Sequence, residues 1–221
     1  MGERASSKAD QVYDDVKESI LSGELEPGDP IDKLALCEKL GVSRFPVSAA
    51  ISRLAFERLV VVEPQHGSFV ARISASDVRE RMFIRRALEG EIAAEAARRL
   101  DEAGRAALRE TMEASAHAAE ADDRTHFYAL DVDFHAVLTQ SLGLERTGEM
   151  LDALRAHLER VRRILMTPVG RMQQTQREHE AVWQAILARD PERARSAMIA
   201  HLGQTTDMFE NFAKERPELF S

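Results

Sequence analysis

A single cysteine, Cys37, in 221 residues leaves no intrachain disulfide to build and fits a reducing compartment. Long apolar runs are missing as well. No stretch approaches the ~18 residues of a membrane-spanning helix. The opening MGERASSKAD carries charge where a secretory signal needs an apolar block, so a cytoplasmic protein with no membrane association is expected. Positive charge is scarce in aggregate: 30 Lys and Arg against 38 Asp and Glu give −8, which argues against binding nucleic acid by bulk charge. The local distribution differs from the total. Residues 1–72 carry −3, yet residues 43–72 hold four basic against two acidic side chains, so any contact with DNA is expected there. The chain also lacks a phosphate-binding glycine loop, a nucleophile elbow and an internal repeat.

What is present, 44% hydrophobic and 31% charged residues, suffices for one large or two smaller cores. Val12, Val16 and Ile20 repeat at helical spacing, and Gly23 and the breaker-rich ELEPGDP end that helix. A second short helix fits Asp32 to Leu40, with Gly41 as its stop. In VSRFPVSAAISRLAFERL, Ser43 reads as an N-cap, Pro46 falls in the first turn where its missing N–H does no harm, and Val47, Ile51 and Leu54 form an apolar stripe. Two helices joined by a short glycine-containing turn read as helix-turn-helix. The period then changes: LVVVEP, the turn QHG and SFVA predict a hairpin over residues 59–71. A helix-turn-helix followed by a two-stranded wing is a winged-helix module, and its combination is more specific than its pieces.

Beyond residue 72 no strand is predicted. Ser74 with Asp77 resembles a capping box that opens a helix to about Leu100. Further helices fit 102–120, 123–141, 146–166, 171–189 and 191–213, punctuated by Gly143, Pro168-Val-Gly170 and Asp190-Pro191. The expected fold is therefore mainly α: a winged helix-turn-helix over 1–72 and an all-helical bundle of about six helices over 73–221, joined near 72–76. Within the bundle, LDVDFHAVL raises a question. Leu130, Phe134 and Leu138 form one apolar rail, and Asp131 and His135 stand one turn apart on the next. They either solvate a surface face or reach inward together.

The string ILSGELEPGDPIDKLALCEKLGVSRFPVSAAISRLAFERLVVVEPQHGSFVA resembles the N-terminal DNA-binding domain of GntR-family bacterial transcription regulators. FIRRALEGEIAAEAA, ALDVDFHAVL, REHEAVWQAILARD and AMIAHL resemble the helical, FCD-type effector domain of that family's FadR branch, and six helices place it nearer the VanR-like subgroup. The resemblance covers almost the whole chain. It implies a homodimer that binds a near-palindromic double-stranded operator and responds to a small organic acid. It also implies that Asp131, His135, His179 and His201 hold a divalent metal. Departures are Ser48 and Ala49, where the family usually has Arg and Glu, and Arg58, where Gly is common.

From spacing alone, a bundle can bring Asp131 and His135 together with His179 and His201 from later helices, or all four can be unrelated histidines and a surface acid. Three imidazoles and a carboxylate suit Zn²⁺, Ni²⁺, Mn²⁺ or Fe²⁺ without choosing among them. His117, His126 and His157 sit among charges and read as surface or outer residues, and Asp133 reads as solvated. Arg85 offers a planar fork to an effector carboxylate, although Arg85 or Arg86 with Glu89 also fits a surface pair; the resemblance favours Arg85 as inward. For DNA, Ser43 and Arg44 stand at the start of the recognition helix, with Arg44 able to reach guanine in bidentate fashion. Arg53 is placed for a phosphate, and His66-Gly67 at the wing tip for the minor groove or backbone. The leading reading is a ligand-responsive transcription regulator and not an enzyme. A helical metalloenzyme fused to an adaptor, or a metal sensor, are the alternatives.

Overall fold

A computed structural model describes residues 7–165 and 170–221, so Pro168 and Val169 of the expected break lie outside the described residues, as does the side chain of His157. The chain is mainly α-helical. It divides into two compact units, one running to Ala75 and taking in Ala213–Ser221, the other Ser76–Phe212.

The first unit is built from α1 (Lys8–Ser22), α2 (Lys33–Leu40), α3 (Arg44–Phe56) and a hairpin of β1 (Val60–Glu63) and β2 (Gly67–Val70). Local chemistry sets its boundaries. A Ser7–Asp10 capping box opens α1 and Gly23, at φ 83°, closes it. Asp32 accepts from the N–H groups of Leu34 and Ala35 to start α2, and Gly41 stops it at φ 60°. Ser43 stands at the N-cap of α3 without making a side-chain cap bond. Val12, Val16 and Ile20 meet Val47, Ile51, Leu54, Val60 and Val70 in one core, each such side chain contributing about 1.5–3 kcal/mol by leaving water. The strands pair antiparallel, Val60 opposite Val70 and Glu63 opposite Gly67. Arg58 sits at φ 59°. This left-handed conformation costs an L-residue about 1–2 kcal/mol, which is the physical reason a glycine suits that position.

Two features of this unit are absent from the sequence reading. The ELEPGDP segment lies along β2 as a third edge, with Ile31 N–H donating to Ser68 C=O at 2.7 Å and Val70 N–H to Asp29 C=O at 2.8 Å. The tail also folds back: after a single 3-10 turn at Pro217–Leu219, Phe220 bridges Ile73 in parallel, and Ser221 N–H donates to Ile73 C=O at 3.0 Å.

The second unit contains α4 (Ala75–Arg99), α5 (Glu102–Glu120), α6 (Arg124–Ser141), α7 (Glu145–Leu165), α8 (Arg171–Leu187) and most of α9 (Pro191–Glu215). Six helices, among the described residues, match the expected number and lie close to the expected bounds. Ala93, Ala97, Leu108, Phe134, Leu138, Leu151, Val182, Ile186, Met198 and Leu202 form its core. The pairing of α5 with α6 is close enough to demand glycine at 104, where a Cβ would come within 2.8 Å of Ser141 Cβ. That packing fixes α6, the helix of LDVDFHAVL.

Candidate functional site

The rail of Asp131 and His135 faces inward. Phe134 and Leu138 anchor α6 in the core, so one turn of the adjacent rail is carried into the bundle with them. His179 arrives from α8 and His201 from α9; all four residues are buried, and one donor atom from each lies within 4.8 Å of the others. His179 Nε2 stands 3.4 Å from Asp131 Oδ1 and 3.3 Å from His201 Nε2. Phe134 stacks on the His179 ring at 3.8 Å between centroids, which fixes its plane. Asp133, His117 and His126 are exposed, as their surroundings in the sequence indicate.

An outer ring of charged side chains orients these four. His201 Nδ1 lies 2.8 Å from Glu178 Oε2, and Arg171 donates to both oxygens of Glu178. His135 Nδ1 stands 2.6 Å from Glu89 Oε2, though off the line a hydrogen bond needs. Glu89 also accepts from Arg85 Nε at 2.6 Å and from Arg155 Nη2 at 3.2 Å. Asp131 Oδ2 accepts from Arg162. With Nδ1 turned toward a carboxylate, His135 and His201 keep Nε2 for the centre, the arrangement by which outer carboxylates set the tautomer of metal-binding imidazoles.

Electrostatics favour the unprotonated donors that a cation needs. Burial pushes the His135 imidazole down to about 4, against the opposing pull of Glu89. Burial, joined by the neighbouring His201, holds His179 well below the ordinary histidine range. For Asp131 burial alone would raise the carboxyl, but Arg162 and the imidazoles outweigh it and keep it ionised. Because the folded imidazoles resist a proton that the unfolded chain accepts near pH 6.5, their contribution is complete above that pH and lost as pH falls toward 4. Chelator-treated protein should therefore melt progressively lower between pH 6.5 and 5, by up to about 1.4 kcal/mol per pH unit for each imidazole. This window lies above the range of the depressed carboxylates Glu89 and Asp131. Calorimetry across it reads the slope; a melting temperature flat from pH 7 to 5 would contradict the buried neutral imidazoles.

Beside the four residues lies a small cavity of about 20 Å³, lined by Arg85, Arg162, Arg171, Thr175, Thr205 and Met208 among others. Arg85 is 2% exposed, so its pairing with Glu89 four residues on is real but internal rather than on the surface. Arg86 is exposed. The sequence reading passed over Arg155, Arg162, Arg171 and Glu178, and saw Glu89 only as a pairing option. The signal available for Glu89 was its setting, ALEGEIAAEAA, whose small apolar neighbours mark a helix face packed against others.

In the first unit Ser43, Arg44, His66 and Gly67 are exposed, the last two at the wing tip. Arg53 is otherwise occupied: it lies over the Tyr13 ring at 3.6 Å and pairs with Asp10 at 3.3 Å and Glu57 at 3.6 Å. Its guanidinium is half-exposed, so a phosphate would have to compete with these partners.

Among the described residues, no helix is long and apolar enough to cross a membrane. Residues 8–70 match the family of bacterial regulatory proteins named gntR, and residues 80–204 match the FCD domain. The chain is 29% identical over 211 residues to the HTH-type transcriptional repressor RspR of Escherichia coli strain K12, covering 96% of this chain and 92% of that protein. It is 32% identical over 211 residues to an HTH-type transcriptional regulator in an unstable DNA locus of Streptomyces ambofaciens, covering 95% and 88%. Among solved structures, E. coli McbR/YncC superposes with a TM-score of 0.71 at 23% identity, over 94% of this chain and 99% of that one, which establishes the shared fold. The winged helix, the helical bundle that follows it in sequence and both family matches converge: this chain belongs to the GntR family, carries an FCD domain, and is a DNA-binding transcription regulator rather than an enzyme.

Proposed function

We propose that the helical unit holds one divalent metal through Asp131, His135, His179 and His201, that a small carboxylate effector binds beside it with Arg85 on the cavity wall, and that effector occupancy changes the affinity of a homodimer for its operator in the cytoplasm. The observation that carries this reading is the convergence of four buried donors from three helices within 4.8 Å. Buried imidazoles and a carboxylate so placed are costly unless something satisfies them, and two Nε2 atoms facing each other at 3.3 Å need a shared proton or cation between them. The donor set admits Zn²⁺, Ni²⁺, Mn²⁺ or Fe²⁺. When bound, the ion supplies a fixed positive centre to which a carboxylate oxygen can add, while Arg162 holds Asp131 and Glu178 holds His201 in position. Arg85 and Arg171 bring further positive charge to the cavity wall.

Metal-loaded protein screened against small carboxylic acids by thermal shift tests the effector half, because a ligand of the folded state raises its stability. If no carboxylate raises the melting temperature or alters DNA binding, that half fails. On the DNA side, Ser43, Arg44, His66 and Gly67 form the contact surface, with Arg53 an additional phosphate contact once it leaves Asp10. Half-sites are spaced about one helical turn or less apart, mirroring a two-fold dimer. Arg44→Ala is expected to weaken operator binding by about 1–3 kcal/mol and to relax base choice at one position per half-site. Unchanged affinity and unchanged preference in that variant would remove Arg44 from the interface.

A further inference from the structure

The outward face of α3 is unusual for a DNA-entering helix in what it presents. At 100° per residue, Phe45, Ser48, Ala49, Ser52 and Phe56 share one face, and all five are exposed, Phe45 by 83% and Phe56 by 90%. The opposite face, Val47, Ala50, Ile51 and Leu54, is fully buried. The charges of the exposed face stand at its edges, Arg44 on one side and Arg53 on the other, both exposed. The two residues placed to cover the Phe45 ring, three and four positions on, are Ser48 and Ala49, too small to do so. A bare phenyl ring alone means little. This one stands second in the helix that follows the turn of a helix-turn-helix, beside the exposed Arg44, and the occupant of that surface in a transcription regulator is duplex DNA. The major groove offers one apolar group to such a ring, the C5-methyl of thymine.

We propose that Phe45 is a specificity-determining residue of this regulator: its ring packs on a thymine methyl in each operator half-site, and Ser48 and Ala49 keep the helix surface low enough for the ring to reach it. The proposal rests on α3 being the helix that enters the major groove. Phe56, about three turns further along the same face, is beyond that contact.

The test uses the full chain, an operator that wild-type protein selects from random DNA, and thymines replaced one at a time by uracil, which deletes only the methyl. At constant salt, wild type is expected to lose about four-fold in affinity at one thymine per half-site and about 15-fold when both are replaced, the worth of about one buried methyl each. Phe45→Ala should bind the thymine operator at least as weakly as wild type binds the doubly replaced one, and should change less than two-fold on replacement. Phe56→Ala should keep the wild-type profile. Circular dichroism melts establish that each variant folds; Phe45→Leu, which retains an apolar contact, should recover part of the sensitivity. The proposal is overturned if Phe45→Ala stays as sensitive to uracil as wild type, or if wild type is insensitive at every thymine. It is equally overturned if Phe45→Ala changes oligomeric state at unchanged operator affinity, which assigns the ring to a protein contact. Failure of wild type to enrich any sequence would bring down the recognition-helix reading itself, a result distinct from the others.

Discussion

Stripped of metal, the protein is expected to melt roughly 10 °C below its loaded form, since a ligand at about a thousand times its dissociation constant adds about 4 kcal/mol and each kcal/mol moves a chain of this size about 2–4 °C. The four donors come from α6, α8 and α9, so an ion among them ties three helices together and its loss is felt by the whole bundle. His179→Ala with His201→Ala should abolish both the shift and the bound metal. Asp133→Ala, exposed on another rail of α6, should keep both. Elemental analysis on untagged protein dialysed against each of Zn²⁺, Ni²⁺, Mn²⁺ and Fe²⁺ gives the stoichiometry. Occupancy well below one ion per chain for every metal, or full occupancy in the double variant, would sink the site.

Glu89→Ala should destabilise the chain by about 3–5 kcal/mol, the range for removing one partner from a buried ion network. Arg85, Arg155 and His135 all converge on this carboxylate, and its side chain is 3% exposed. Burial alone would raise its pKa, yet Arg85, His135 and Arg155 hold it well below the usual carboxylate range, so it is an anion on which two buried guanidiniums depend. Alanine leaves both without that counter-charge. Two residues on, Glu91 meets Arg195 in equally short bonds of 2.6 and 2.8 Å, but with an exposed carboxylate and a partly exposed guanidinium. Solvent and salt screen that pair, and Glu91→Ala should leave the urea midpoint near wild type. Similar midpoints for the two variants would show that burial of the Glu89 cluster contributes no stability of its own.

The contrast between Glu89 and Glu91 also explains what was legible in the sequence. The ends of α1 and α2 were readable because their stops are local: Gly23 and Gly41 act within four residues of themselves. Helical spacing put Asp131 and His135 on one rail beside an apolar one but left open whether that rail faced solvent or the interior, and only the family resemblance favoured the interior. Arg162 and Glu178 were not readable. Arg162 lies in LERVRRIL, where charges crowd most faces, and Glu178 is the immediate neighbour of His179, so spacing along α8 gives no reason to group the two. Their roles depend on partners 31 residues away for Arg162 with Asp131 and 23 for Glu178 with His201. The third edge at Pro30–Ile31 was hidden for another reason: ELEPGDP is rich in breakers and reads as a loop, although Pro30, lacking an N–H, is well suited to a strand edge.

The returning tail sets a timetable for biosynthesis. Ile73 exchanges backbone bonds with Leu219 and Ser221, and residues 213–221 belong to the same compact unit as the winged helix. The two parts are separated by roughly 140 residues, which a ribosome working at about 5–20 residues per second adds in about 7 to 28 s. Through that interval the winged helix can assemble its core, but Ile73 waits with its N–H and C=O open to water or to another chain. The DNA-binding unit is therefore completed only after the whole regulatory bundle has emerged, and a chain stalled within the bundle carries a winged helix whose Ile73 has no tail to pair with.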